Sequence, residues 1–294
     1  MKAVVLGSAA GGGFPQWNCR CANCALAWAG DPRATWRTQS SLALLDGDGC
    51  VLVNASPDLG EQLRKTPALW PIATRRSPIH TVVLTSAEID HIAGLAHLRE
   101  RHAFALLALA PVQAAIADNP LFAPLMASRR TVAAGEVLEV TREMRITLIP
   151  VPGKAPLYLE TGDSEPAALA GEACGLLVEG PERRLAYIPG CAELTPDLAA
   201  WVSRADIVLC DGTLFEDDEM LRMGLGEKTG RRMGHVPMTG PGGSLAWLAE
   251  LPAARKIYIH INNSNPVLIE GSRERRHVES AGVEIGYDGL EIPL

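Results

Sequence analysis

Short apolar runs ending in Gly, Asp, Asn or Ser recur along the chain: "KAVVLGS", "SLALLDG", "CVLVNASPD", "HTVVLTS", "RITLIPVPG", "GLLVEG", "RLAYIPG", "DIVLCDG" and "KIYIHINNS". Their length and their Val, Ile and Leu content predict strands. Between several of them lie stretches with helical spacing, "AGLAHLRERHAFAL", "PVQAAIADNP" and "GSLAWLAEL". Strands and helices interleaved in this way predict an α/β protein with layered sheets. No linker-like or low-complexity segment divides the chain and no internal repeat stands out, so residues 1–294 are expected to form one domain.

The polar ends of the runs carry more information than the runs themselves. Asn54 to Asp58, Ser86 to His91, Asp211 to Thr213 and His260 to Asn263 each follow an apolar stretch. Strands lying side by side would bring these ends to one edge, where open α/β sheets place their sites.

Composition narrows the chemistry. The 294 residues are 47% hydrophobic and 21% charged, with a formal net charge of −7. That balance offers no general attraction for nucleic acid. The compact basic runs, Arg231-Arg232 and Arg273 to Arg276, read as solvated faces. No run reaches the roughly 18–20 apolar residues of a membrane span. The opening "MKAVVLGSAAGGG" is too short in its apolar part for a secretory signal, and reads as a strand and turn. A cytoplasmic protein without a membrane partner is expected. Among the seven cysteines, Cys50, Cys174, Cys191 and Cys210 are scattered, mostly in or beside apolar runs, and read as small buried side chains.

The other three cysteines stand together in "NCRCANC", as Cys19, Cys21 and Cys24. An odd count in a cytosolic chain argues against disulfides. Three thiolates so close repel one another unless a soft cation neutralises them, and Zn(II) does so with tetrahedral geometry. Free thiols and an iron–sulfur cluster are the alternatives, the latter weakened by the lack of a fourth cysteine nearby. Such a zinc site would be structural, with its fourth ligand drawn from His277 or the "HINNSNP" loop.

"TSAEIDHIAG" holds a second candidate. Asp90 and His91 follow the strand "TVVLT", and His260 ends the strand "KIYIH". One carboxylate and two imidazoles, with open positions opposite, suit non-haem Fe(II), which uses the vacant positions for oxygen and substrate. A lone Asp-His pair is also a common surface or helix-cap feature. His97 and His102 are expected on the following helix, in structural roles. "GSAAGGG" lacks a dinucleotide fingerprint, and its glycines predict a tight turn beneath a pocket. Asp211 and His235, the latter in "MGHVPMTG", are further polar candidates without a spacing argument of their own.

Together, "GSAAGGGFPQWNCRCANC", "SAEIDHIAGL", "CDGTLF", "MGHVPMTG" and "HINNSNP" resemble the pyrroloquinoline quinone biosynthesis B family of the metallo-β-lactamase fold superfamily, from residue 7 to residue 266. The resemblance implies an αββα sandwich, two mixed sheets face to face and flanked by helices, with a metal site at one sheet edge. In the two-metal hydrolases of that superfamily, the first metal takes two histidines of an H-x-H-x-D-H loop and a third from a P-G-H motif. The matching positions here are Ser86, Glu88 and Lys154. The usual bridging Asp falls around Pro189, Gly190 and Cys191. The second metal takes the Asp-His pair and a late histidine, matched by Asp90, His91 and His260. One metal's ligands are gone and those private to the other are kept, which removes hydrolysis by a hydroxide bridging two ions.

What the resemblance implies for function is a step in making pyrroloquinoline quinone from a ribosomal peptide whose glutamate and tyrosine are cross-linked. That step is expected to be an Fe(II)- and O2-dependent hydroxylation of the tyrosine ring of the precursor. Lys154 is then expected to hold an anionic substrate group or a reduced-oxygen species, and to pair with Glu88. His235 is expected to take a phenolic proton, and Asp211 to add a ligand or orient a water in the same pocket. The expected partners are the tyrosine-containing precursor, O2 and other proteins of the pathway. Two alternatives stay open: a carrier of the quinone or its precursor toward the periplasm, and a residual phosphodiesterase-like metallo-hydrolase.

Overall fold

The apolar runs become strands that are buried along most of their length. In a computed structural model, which describes residues 1–159 and 169–294, the first half carries β1 (Lys2–Gly7), β2 (Ser41–Asp46), β3 (Gly49–Val53), β4 (Ile79–Val83), β5 (Phe104–Ala108) and β6 (Ala127–Thr131). The second carries β7 (Val137–Glu139), β8 (Arg145–Gly153), β9 (Leu169–Glu179), β10 (Arg184–Ile188), β11 (Ile207–Asp211), β12 (Arg255–Ile259), β13 (Glu284–Ile285) and β14 (Glu291–Pro293). Among the described residues they form two seven-stranded sheets, ordered β14-β1-β2-β3-β4-β5-β6 and β13-β12-β11-β10-β9-β8-β7. Both are mixed. In the first, β14, β1, β2 and β3 are antiparallel neighbours and β3 to β6 run parallel. In the second, β7 to β10 are antiparallel and β10 to β13 parallel.

Three apolar layers follow from this stacking. Between the sheets, Val5, Leu44 and Val53 of one share a core with Leu148, Leu176 and Leu209 of the other. On the outer face of the first sheet, Val4, Leu6 and Leu52 pack with Val112 and Ile116 of the helix Ala110–Ala117. On the outer face of the second, Ile188, Val208 and Tyr258 pack with Leu198, Leu248 and Val278. Those three belong to the helices Pro196–Val202, Ser244–Glu250 and Arg273–Ser280. This is the expected αββα sandwich of the α/β class. Strands covered on both faces read as continuous apolar runs rather than alternating ones, which is why the runs were so plain in the sequence. No helix among the described residues is long and apolar enough to cross a membrane.

The structure corrects one helix. Of "AGLAHLRERHAFAL", only Ala93–Leu98 is helical, as a 3-10 turn carrying His97. The chain then passes Arg101, at φ 58°, and His102 before entering β5 at Phe104. Leu106 is buried against the outer layer and Leu107 against the inner core, so both faces of this short run are apolar. Periodicity cannot separate such a strand from a buried helix. The unforeseen β6, β7, β13 and β14 are short or polar: β6 reads "ASRRT" and is mostly exposed. Edge strands are often made this way, because a polar edge resists pairing with other chains.

At one end the two sheets are sewn together. Cys174 N donates to Thr85 O (2.8 Å), Ala10 N to Ile261 O (2.9 Å) and Ile261 N to Ser8 O (2.9 Å). The carboxyl ends of β3, β4, β11 and β12 meet there. Leu209 lies fully buried between the sheets, and Leu209→Ala should lower the unfolding free energy by about 3 kcal/mol in urea denaturation. A loss below about 1 kcal/mol would show that the sheets close over the gap instead of keeping their spacing.

Candidate metal centre

Among the described residues, three sets of side chains bring ligand atoms within 4.8 Å of one another: Cys19, Cys21 and Cys24; Asp90, His91 and His260; and Asp211, His235 and His260. The second set is assembled from two strand ends. After β4, Glu88 leads into the short helix Ile89–Ile92, which carries Asp90 and His91. After β12, His260 adopts φ 54°, a left-handed conformation that costs a non-glycine residue energy and is kept only when its surroundings enforce it. Here Ile261 N is held by Ser8 O and Asn262 N by Thr213 O (3.0 Å). The His260 ring then places Nε2 3.1 Å from Asp90 Oδ2 and Nδ1 2.9 Å from Thr213 Oγ1. It meets the His91 ring edge to face, with centroids 5.7 Å apart.

One atom tests whether a metal fits. His91 is buried, and its Nδ1 lies 2.7 Å from Ser86 Oγ. Its Nε2 is buried with no hydrogen-bond partner. An unsatisfied buried polar atom costs about 1–3 kcal/mol, and a cation bound at that nitrogen removes the cost. One carboxylate and two imidazoles form a donor set for divalent transition metals, and hydroxyls at Nδ1 orient each ring so that Nε2 would be the nitrogen to hold an ion. The set fits a metal.

The charges agree. Burial pushes the His91 pKa down to about 4 against the attraction of Asp90, with His260 and His235 adding to the fall. The ring is therefore neutral near pH 7, the form that ligates. Burial would raise the Asp90 carboxyl, but the nearby histidines and the His260 hydrogen bond outweigh it and hold it below the usual carboxylate range. His260 is raised despite burial, because it bonds Asp90 and faces the charge of Asp211.

Asp211 lies behind this set. Its Oδ1 accepts from Thr213 N (3.0 Å) and Thr213 Oγ1 (2.6 Å), and its Oδ2 from Cys191 N (3.2 Å) and His235 Nδ1 (2.7 Å). The sequence reading set Asp211 in the pocket wall as a ligand or water-orienting group. The structure instead spends both its oxygens on the protein and keeps it off the wall of the cavity. In this arrangement Asp211 positions His235 and, through Thr213, His260, while its carboxylate also lies within 4.8 Å of both rings as the third candidate set.

A cavity of about 520 Å³ opens over the imidazoles, with Ser86, Glu88, Asp90, Lys154 and His235 in its wall. Lys154 Nζ sits 3.1 Å from Glu88 Oε1, so the expected pair forms. Gly11 also lines the cavity, and Gly12 and Gly13 take φ 91° and 71°, which is the tight turn the glycines foretold. Sequence reasoning placed Asn54 at a polar strand end without a role and passed over Thr85; the two lock each other through Thr85 N to Asn54 Oδ1 and Asn54 Nδ2 to Thr85 Oγ1, both 2.9 Å. Their place at polar strand ends was the available signal. Nothing in the sequence marked Met220, Lys228 or Met233 as cavity-lining.

The cysteine set lies apart, at the start of the helix Ala22–Trp28. Asn263 Nδ2 stands at its focus, 3.2 Å from Cys19 Sγ, 3.3 Å from Cys24 Sγ and 3.8 Å from Cys21 Sγ. A half-turn of that amide would present Oδ1 at the same point, since its oxygen and nitrogen are nearly equivalent in shape. A fourth ligand is thus available from the "HINNSNP" loop. His277 lies outside this converging set, and its ring meets Phe215 edge to face with centroids 6.4 Å apart. Burial pushes Cys21 up to about 12 and Cys24 up as well, so three thiolates coexist only around a cation.

Residues 50–261 match the beta-lactamase superfamily domain. The chain is 52% identical to the coenzyme PQQ synthesis protein B of Methylobacterium nodulans, over 100% of both chains. The crystal structure of zinc-bound PqqB from Methylobacterium extorquens superposes with a TM-score of 0.96, at 48% identity and with 100% of both chains covered. A diphosphatase of the PhnP family, 19% identical, shares the fold with a TM-score of 0.71 over 100% of this chain and 97% of its own.

Cys21→Ser is expected to lower bound zinc and melting temperature together, because the binding energy of a structural site is also folding energy. A triple variant of Cys19, Cys21 and Cys24 to serine that melts like the parent would show that the cluster holds no structural ion.

Proposed function

The chain belongs to the coenzyme PQQ synthesis protein B family of the beta-lactamase superfamily, and we propose that its step in coenzyme PQQ synthesis is hydroxylation of the tyrosine ring of a peptide-derived precursor. In that reaction one atom of O2 replaces a ring hydrogen as hydroxyl, and the other leaves as water. Two electrons and two protons come from an external reductant. The observation that carries the proposal is the buried, unpartnered Nε2 of His91 beside Asp90 and His260. Fe(II) held by these three would supply the redox chemistry and keep positions open for oxygen and substrate. We assign the cysteine set to a structural Zn(II). The proposed setting is the cytoplasm, with other proteins of the pathway as partners.

The remaining residues have roles of their own on this reading. Lys154, beside Glu88, puts an ammonium in the cavity wall where a substrate carboxylate can rest. The same ammonium repels a second divalent ion, which the two-metal hydrolytic route requires. His235 bonds Asp211 through Nδ1, so its Nε2 is the atom that accepts the phenolic proton. Cys174 and Met220 give the wall apolar surface against a ring.

Asp90→Ala takes away the only anionic ligand of the set. Iron and oxygen uptake with a tyrosine-containing precursor should both disappear, while zinc content and circular dichroism stay unchanged. Retained iron and turnover in that variant would remove this centre from the reaction. For His235→Ala, turnover should fall at least about tenfold while iron content holds. Normal turnover would leave His235 without the role of base.

A further inference from the structure

Between β13 and β14 the chain crosses from the second sheet to the first. On the way Gly286 N donates to Tyr258 O of β12 (2.8 Å) and Gly289 N to Val5 O of β1 (2.7 Å). Asp288, half-buried, lies in that crossing. Its Oδ1 accepts from Ser8 N (2.9 Å) and Ser8 Oγ (2.7 Å), and its Oδ2 from Thr38 N (2.7 Å) and Thr38 Oγ1 (2.8 Å). Four donors on two oxygens suit an ionised carboxylate, which only accepts. The buried guanidinium of Arg37 completes the group, with Nη1 donating to Ser8 Oγ at 3.3 Å and to the Gly286 carbonyl. The metal centre uses none of these side chains, yet the carboxylate ties two separate loops to the end of the chain.

Ser8 leads from this group to the metal centre. Its carbonyl accepts from Ile261 N at 2.9 Å, the amide that follows left-handed His260. A histidine keeps that conformation only where its neighbours enforce it. Ala9 N donates to Thr38 O and Ala10 N to Ile261 O, both at 2.9 Å, so residues 8–10 are held between Thr38 on one side and Ile261 on the other. One residue further, Gly11 abuts the other strand end: a Cβ there would stand 3.7 Å from Asp90 Cγ and Oδ2. The strip thus touches the surroundings of two of the three side chains in the set. We propose that Asp288 is a positioning residue of the metal centre. By pinning Ser8 and Thr38 together it fixes the strip, and the strip keeps His260 left-handed with Nε2 beside Asp90. This inference rests on the reading that Asp90, His91 and His260 hold a divalent ion.

The probe is Co(II) alone, titrated into protein stripped of metal at this centre and followed by its d–d absorption. Asp288→Asn puts an amide where four donors converge. It should weaken Co(II) binding at least about tenfold, as loss of a group that orients ligands from behind does, and change the absorption envelope. Ile116→Ala, a cavity in the outer layer of the first sheet, should lower the melting temperature yet bind Co(II) like the parent. Thr38→Val should cost about threefold, the worth of one hydrogen bond, and Thr38→Ser should restore the parent's affinity; this pair decides the matter if Asp288→Asn does not fold. In metal-free crystals of Asp288→Asn, or of Thr38→Val in its place, the His260 ring should lose its contact with Asp90. Parent-like Co(II) binding in Asp288→Asn, an equal loss in Ile116→Ala, no difference between the Thr38 variants, or an unmoved ring would overturn the role. A parent that takes up no Co(II) here would overturn the metal reading by itself, while the metal-free crystals would still decide whether Asp288 positions His260.

Discussion

A carboxylate cut off from water must be compensated where it stands, and the Asp211 carboxylate is compensated by the parts that build the site. Its donors come from Cys191 just beyond β10, from Thr213 just beyond β11 and from His235. Burial alone would raise its pKa, yet His235 and His260 with the Thr213 hydrogen bond bring it below the ordinary value, so it remains an anion. Removing any one donor leaves the charge less satisfied, at a cost above that of a neutral hydrogen bond. The ends of β10 and β11 and the His235 loop are therefore held in one arrangement by a single group. The Thr213 hydroxyl extends that arrangement to His260, and the proposed ligand inherits its orientation from a residue that never reaches the cavity.

The cysteine cluster supports the same strand end from the other side. Asn23 Nδ2 donates to the carbonyls of Asn263 (3.1 Å), Ser264 (2.8 Å) and Asn265 (3.1 Å). Asn263 in turn points its amide among the sulfurs. His260 is three residues before Asn263 and takes a backbone conformation that its sequence does not favour. A zinc ion in the cluster would thus stiffen the loop that holds a left-handed histidine in place. The cysteine set and the Asp90, His91 and His260 set are connected along the chain through Ile261 and Asn262, although they share no residue.

The fold was legible wherever strands are covered on both faces, because "KAVVLG" or "DIVLCD" is too apolar to be anything exposed. It was illegible at β5, whose apolar run looked helical, and at edge strands such as β6, whose "RR" reads as loop. The side chains that the structure gathers into candidate metal sets were also legible, since imidazoles, thiols and carboxylates at strand ends are few. Their support was not. Thr213 and Ser86 act through a single oxygen each, and hydroxyls are too common for spacing to single them out. Asp211 was read as a wall residue because a sequence shows the type of a side chain but not which of its lone pairs are already in use. Arg232 was set aside as part of a solvated run, and only the coordinates separate its sequestered nitrogen from the exposed guanidinium beside it.

The exchange of metal ligands for Lys154 and Glu88 changes the kind of chemistry the edge of the sandwich can support. A divalent ion both attracts anions and acidifies the water it binds. An ammonium does only the first. With Lys154 beside Glu88, the cavity keeps a positive point near the remaining metal set but loses a second centre that could generate hydroxide. On the proposed reading the two-ion route to hydrolysis is lost, whereas a positive point able to anchor an acidic substrate remains. A single ion held by one carboxylate and two imidazoles would, on the same reading, keep positions open for oxygen and a ring anchored nearby. Oxidative chemistry fits that arrangement because it needs a redox-active ion and a fixed substrate, and does not need the second ion.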